Sequence, residues 1–137
     1  MIVKYKITKI RPVFCDVRGT ITDLLNGKLE HVGLITTKKG SVRGCHMHKK
    51  SKQFTFVFSG CFRVDLAKRP GIKARRITLV KNSMIEIDPR VIHRFQALAD
   101  GVLVDMISTS RRDNLYEKDV FRFQFKNGCF LPLRPGA

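Results

Sequence analysis

The chain has no tryptophan, only two tyrosines, and 11 acidic residues against 27 lysines and arginines. The shortage of negative charge leaves a formal net charge of +16. Such a field draws polyanions: nucleic acid, anionic membrane surfaces or phosphorylated small molecules. It is silent on fold. No apolar run approaches the roughly 18 residues of a membrane helix. The stretch from Met1 to Val13 alternates apolar and basic residues and lacks the continuous apolar core of a signal segment. The expectation is a cytoplasmic protein with no membrane partner. No two of the four cysteines, Cys15, Cys45, Cys61 and Cys129, are separated by just two residues. That argues against a zinc knuckle or a redox pair and for four reduced thiols. Repeats, linkers and low-complexity tracts are absent. So are a recognition helix and an RNP-type motif, which makes nucleic-acid binding a minor alternative.

What is there is mostly period two. Hydrophobic residues make up 43% of the 137 positions and charged residues 28%, a globular balance for one domain over 1–137. Alternation marks strands over Ile2 to Thr8, Leu29 to Thr37, Phe54 to Phe58, Phe62 to Leu66, Arg76 to Val80, Met84 to Ile87 and Val102 to Ile107. Turn signals separate them: Asn26-Gly27, Lys39-Gly40, Ser59-Gly60, Arg69-Pro70-Gly71, Lys81-Asn82, Asp88-Pro89 and Asp100-Gly101. Only Asn114 to Val120 suits a helical turn or two. Many short strands with regular turns predict an all-β sandwich or barrel. The Phe54, Phe56, Phe58 stripe reads as core, and residues 128–137 read as a tail that frays from Leu131.

Two histidine clusters stand out. In the first, Gly40 and Arg43-Gly44 precede His46 and His48, Gln53 follows a basic turn containing Lys49, Lys50 and Lys52, and Gly60 closes the stretch. Residues two apart on a strand share a face, so His46 and His48 point together while Cys45 and Met47 point away. A hairpin brings the Gln53 amide back toward the pair. In the second cluster, Asn82 offers the positive φ of a tight turn, and Pro89 precedes a strand that presents His93. If the clusters face each other across a barrel, three imidazoles and one amide converge. His31 reads as an ordinary strand residue.

The first cluster resembles the first cupin motif, G-x5-H-x-H-x4-E-x6-G, with Gln53 in place of Glu. The second resembles G-x5-P-x-G-x2-H, with Asn82, Asp88 and Arg90 in place of its Gly, Pro and Gly. Two motifs in order, in an all-β sequence, imply a cupin double-stranded β-helix, the jelly-roll barrel. A narrower match, Arg43-Gly44-x-His46-x-His48-Lys49-Lys50-x-x-Gln53, resembles the WxcM-like dTDP-4-keto-6-deoxyhexose 3,4-ketoisomerases, relatives of the dTDP-4-dehydrorhamnose 3,5-epimerases. Asp16-Val17-Arg18-Gly19 resembles the opening of both groups, and Ser108 to Val120, with its Asp, Tyr and Asp, their closing segment. The similarity covers roughly residues 15 to 122. The chain departs from the ketoisomerase pattern in lacking a tyrosine on the strand around His31 to Ile35.

The resemblance implies a small-molecule substrate, a nucleotide sugar, and metal-independent proton transfer by His46 and His48. Arg43, Gln53, His93 and Lys50 become substrate-binding candidates. The residue types suit the chemistry. Moving a carbonyl between adjacent carbons removes an α-proton, passes through an enediolate and returns a proton elsewhere. An imidazole serves both halves, and guanidinium forks pair with phosphate oxygens. No cofactor is expected. The metal alternative places one divalent Fe, Ni, Mn or Zn on His46, His48, Gln53 and His93, in an enzyme of another class or a sensor. A third reading is a non-catalytic module that docks on nucleic acid. A homodimer is expected by resemblance, with residues 1–12 available as an exchanged strand.

Overall fold

The computed structural model describes residues 3–133. Alternating sequences produce thirteen strands: β1 (Tyr5–Lys9), β2 (Phe14–Asp16), β3 (Gly19–Ile21), β4 (His31–Thr37), β5 (Val42–His48), β6 (Gln53–Ser59), β7 (Cys61–Ala67), β8 (Arg75–Val80), β9 (Ser83–Ile87), β10 (Ile92–Ala97), β11 (Gly101–Ile107), β12 (Val120–Lys126) and β13 (Cys129–Pro132). One short helix, α1 (Leu115–Asp119), precedes β12. No helix among the described residues is long and apolar enough to cross a membrane.

β2 and β3 pair with each other, and the other eleven strands form two antiparallel sheets of five and six, in the orders β1-β9-β6-β11-β4 and β13-β12-β5-β10-β7-β8. Between them lies a core to which β7 gives Phe62, Val64 and Leu66, β9 gives Ile85 and Ile87, and β11 gives Leu103. Each fully buried apolar side chain of this kind contributes about 1.5–3 kcal/mol. The intervening β7 residues face outward, where Asp65 takes charge-assisted hydrogen bonds from Arg76 at 2.8 Å and Arg94 at 3.0 Å. That fastens β10, the strand carrying His93, to its neighbours.

Three expectations change. The phenylalanine stripe is not central core, because Gln53 and Thr55 point inward and parity sends Phe54, Phe56 and Phe58 to the outer face. Phe56 is buried there with Met84 and Met106 beneath Leu24, Leu25 and Leu29, while Phe58 is exposed. The segment from 128 does not fray at Leu131: β13 pairs with β12, and Phe130 is fully buried against Ile92 and Phe123. The first strand begins at Tyr5 and pairs with β9. Met1 and Ile2 of the strand expected there, and residues 134–137 of the tail, lie outside the described residues. The β2–β3 hairpin, absent from the sequence reading, leaves Val13, Phe14, Val17 and Ile21 exposed.

Candidate active site

Strands β5 and β10 are neighbours, and His46 stands directly opposite His93 in their register. The two histidine clusters therefore lie side by side on one sheet. The facing sheet supplies Gln53 and Thr55 from β6 and Asp105 from β11.

The β5–β10 ladder contains a bulge. His93 pairs with His46 and Arg94 with Gly44, so Cys45 is an extra residue. Gly44 and Cys45 both have positive φ, at 86° and 67°. A side chain at Gly44 would place its Cβ 3.3 Å from the His93 carbonyl oxygen, which explains glycine there. The inserted residue shifts the alternation by one, so Arg43 joins His46 on the inner face. The turns that carry the second cluster also need positive φ: Asn82 has 70° and Arg90 has 67°. Arg90 thus keeps a backbone conformation that glycine would adopt without steric cost.

The inner faces enclose a cavity of about 340 Å³, within the usual range of small-molecule sites. Ile35, Phe95 and Leu103 form its apolar floor, and His46, His93, Gln53, Thr55 and Asp105 its polar wall. Arg43, Arg111, Arg122 and Tyr116 stand around them. The Arg111 guanidinium lies 4.0 Å from the Tyr116 ring centre. Arg122 is held by a two-pronged ion pair to Glu117 at 2.8 and 2.9 Å. Arg43 donates to the Thr36 carbonyl at 3.0 Å.

His46, 9% exposed, meets His48, His93 and Tyr116 edge-on. Burial first, then the fields of His93, His48, Arg122 and Arg111, push its pKa down to about 2. Near neutral pH its ring is uncharged and carries a lone pair. His93 is buried, with Nδ1 donating to the Val91 carbonyl at 3.0 Å and Nε2 unpartnered. Burial lowers its pKa to about 3 against the pull of that hydrogen bond. Burial likewise raises Tyr116, against Arg111, so the phenol keeps its proton.

His48 lies behind the cavity wall, 2% exposed. Its Nδ1 is 3.0 Å from Asp119 Oδ2 and its Nε2 is 3.0 Å from Gln53 Oε1. For Asp119, burial works to raise the pKa, but hydrogen bonds from Ser51, the Lys50 backbone and His48 outweigh it and hold the carboxyl low. Lys50, expected to bind substrate through its side chain, stands outside the cavity with that side chain exposed. It occupies the turn after β5, and its contribution is the backbone N–H donated to Asp119 Oδ1 at 2.8 Å.

Of the sequence candidates, His46, His93, Arg43 and Gln53 line one cavity, and His48 supports it. Thr55, Asp105, Arg111 and Arg122 were not singled out, and Tyr116 and Asp119 only as part of the closing segment. His31 is turned inward, its ring over Gly33, where an added Cβ would sit 2.9 Å from His31 Nε2.

No family model matches the chain, and neither does any curated protein. Solved structures do match. A 3,4-ketoisomerase from Helicobacter canadensis superposes with a TM-score of 0.73 at 22% identity, over 88% of this chain and 91% of that one. The QdtA 3,4-ketoisomerase from Thermoanaerobacterium thermosaccharolyticum, a variant in complex with TDP, gives 0.71 at 26% identity over 89% of each chain. Another variant of QdtA was crystallised with TDP-4-keto-6-deoxyglucose. The dTDP-4-dehydrorhamnose 3,5-epimerase from Sulfolobus tokodaii gives 0.68 at 19% identity, over 91% of this chain and 84% of that one. The chain has the cupin-type fold shared by these nucleotide-sugar ketoisomerases and epimerases, the fold that its two histidine motifs imply.

Proposed function

We propose that the protein is a nucleotide-sugar isomerase that moves the carbonyl of a dTDP-4-keto-6-deoxyhexose between C4 and C3, with His46 as the proton-transferring base. The observation that carries this reading is a neutral imidazole facing a cavity ringed by three guanidiniums and a phenol. The C3 proton goes to a His46 nitrogen, and the C3–H electron pair forms the C3–C4 double bond as the C4 carbonyl becomes an enolate oxygen. Arg43, Arg111 and Arg122 supply fixed positive charge for that oxygen and for the diphosphate. The proton returns from His46 to C4, the Tyr116 hydroxyl gives its proton to the C4 oxygen and takes the one that O3 loses, and the carbonyl forms at C3. Asp119 accepts from His48 Nδ1 and orients its ring behind His46.

Incubation with TDP-4-keto-6-deoxyglucose in deuterated buffer tests this reading by NMR. The expected result is the 3-keto isomer with solvent deuterium at the new C4–H. An unchanged substrate without exchange at C3 rejects it. Exchange at C3 and C5 with inverted configuration points to epimerisation instead.

The donor set bears on the metal alternative. His46, His48 and His93 bring ring nitrogens within 4.8 Å of one another, but both nitrogens of His48 face oxygens, Asp119 Oδ2 and Gln53 Oε1. A cation there would have to displace the Gln53 contact and strip Nε2 of any proton. This arrangement supports proton handling more than ligation. Elemental analysis of untagged protein is expected to find no transition metal near one equivalent. A stoichiometric metal that disappears in His46→Ala would replace the isomerase reading with the metal one.

A further inference from the structure

A line of four hydrogen bonds joins two carboxylates through His48. Asp119 meets His48 Nδ1 at 3.0 Å, and His48 Nε2 meets Gln53 Oε1 at 3.0 Å. The Gln53 amide nitrogen donates to Thr55 Oγ1 at 2.9 Å, and the Thr55 hydroxyl donates to Asp105 Oδ1 at 2.8 Å. All five side chains are buried, and Asp105 is 7% exposed. No Lys, Arg or His nitrogen among the described residues forms an ion pair with Asp105. His31 from β4, His48 from β5 and Arg111 from the loop before α1 act on it only through their fields. A buried carboxyl without a cation is costly to keep, and its one hydrogen-bond partner is a threonine.

The inventory of donors and acceptors gives that carboxyl a task. The single Thr55 proton goes to Asp105 Oδ1, an oxygen that accepts also when the carboxyl, raised by burial, holds its own proton on Oδ2. Thr55 Oγ1 is then an acceptor, which draws the NH2 of Gln53 and turns its oxygen toward His48. With an amide oxygen on one side and a carboxylate on the other, both His48 nitrogens face acceptors, and the ring donates to both when it carries a proton on each nitrogen. Without this anchor the Gln53 amide is free to rotate and to present its NH2 to Nε2 instead.

We infer that Asp105 is a positioning residue for the histidine pair: through Thr55 it fixes the direction of the Gln53 amide, and so makes His48 Nε2 a hydrogen-bond donor rather than an acceptor. The kinetic consequence rests on the isomerase reading, whereas the polarity of the line does not. The polarity is legible in long-range proton–nitrogen NMR spectra of the histidine rings, recorded without substrate. The wild type is expected to show His48 Nε2 with the signature of an N–H donor. Thr55→Val, close in shape but without the hydroxyl, is expected to move that signature toward a bare nitrogen or an exchanging mixture. Asp105→Leu is expected to do the same. Asp105→Asn can still accept from Thr55 and is expected to restore the wild-type pattern. In turnover, Thr55→Val and Asp105→Leu lower kcat about tenfold with KM nearly unchanged, and Asp105→Asn stays within about threefold of wild type. A bare His48 Nε2 in the wild type overturns the inference without any variant, as does a Thr55→Val spectrum identical to wild type. If no substrate turns over, the isomerase reading fails while the spectra still decide this one.

Discussion

His46→Asn slows isomerisation about a thousandfold and leaves the protein folded. Asparagine has no basic nitrogen, so it can line the cavity but take up no proton. General-base contributions run to about 10²–10⁴ in rate, and the expected loss in kcat is about a thousandfold with KM within about threefold. Solvent exchange at C3 should vanish in parallel, since it reports the same proton abstraction. Asp119→Asn is a graded companion. Its amide keeps an oxygen for His48 Nδ1 but drops the charge, and a loss of about ten- to a hundredfold is expected. Wild-type exchange in His46→Asn would remove the base from His46, and the cavity-facing lone pair would then have no role.

Acid destabilises the fold through the same rings. The pKa values of His46, about 2, and His93, about 3, both lie below the ordinary histidine value of 6.5. Between those limits the unfolded chain binds two protons that the folded chain refuses, so stability is fully present above the ordinary value and falls as pH drops. Two such rings cost on the order of 4 kcal/mol between neutral pH and pH 5, a large part of the roughly 5–15 kcal/mol a domain possesses. Asp105 acts in the opposite sense: its carboxyl is raised by burial, so the folded chain holds a proton that the unfolded chain loses above the ordinary carboxylate range. Denaturant unfolding at several pH values reads the net slope. In His46→Asn one of the two protons is gone, and the acid loss should shrink by about half. An unchanged slope in that variant and in His93→Asn would place the acid sensitivity elsewhere.

The sequence was most informative where spacing and backbone geometry are coupled. Gly40 and Gly60 frame the first cluster, and both have positive φ. Asn82 and Arg90 stand where the second motif has glycine, and each takes a positive φ despite its side chain. Period two placed His46 beside His48 and returned Gln53 to them. The rest of the wall had no such coupling. Thr55 is the next inward residue after Gln53, but nothing marks a strand threonine as a hydrogen-bond bridge. Asp105 is one acid in an otherwise apolar strand, and only pairing with β6 reveals its partner. Arg111, Tyr116 and Arg122 come from a loop, a short helix and a strand whose relative positions no periodicity fixes. Lys50 failed for a simple reason: a turn residue inside a motif need not direct its side chain where the motif's histidines point. The phenylalanine stripe follows from parity, because an inward Gln53 commits Phe54, Phe56 and Phe58 to the other face.

The extra residue at Cys45 works as a change of reading frame written in the pleat. Upstream of it, odd-numbered positions face the cavity; downstream, even-numbered ones do. Flattening the bulge with Cys45 kept, so that Cys45 stands opposite Arg94, would leave both histidines in place and every strand intact. It would also exchange Arg43 for Val42 at the mouth, turning a cationic entrance into a greasy one. Related chains that share the histidines and this length but pair here without the positive-φ bulge should therefore differ in the charge of the molecule they admit, even where their folds superpose.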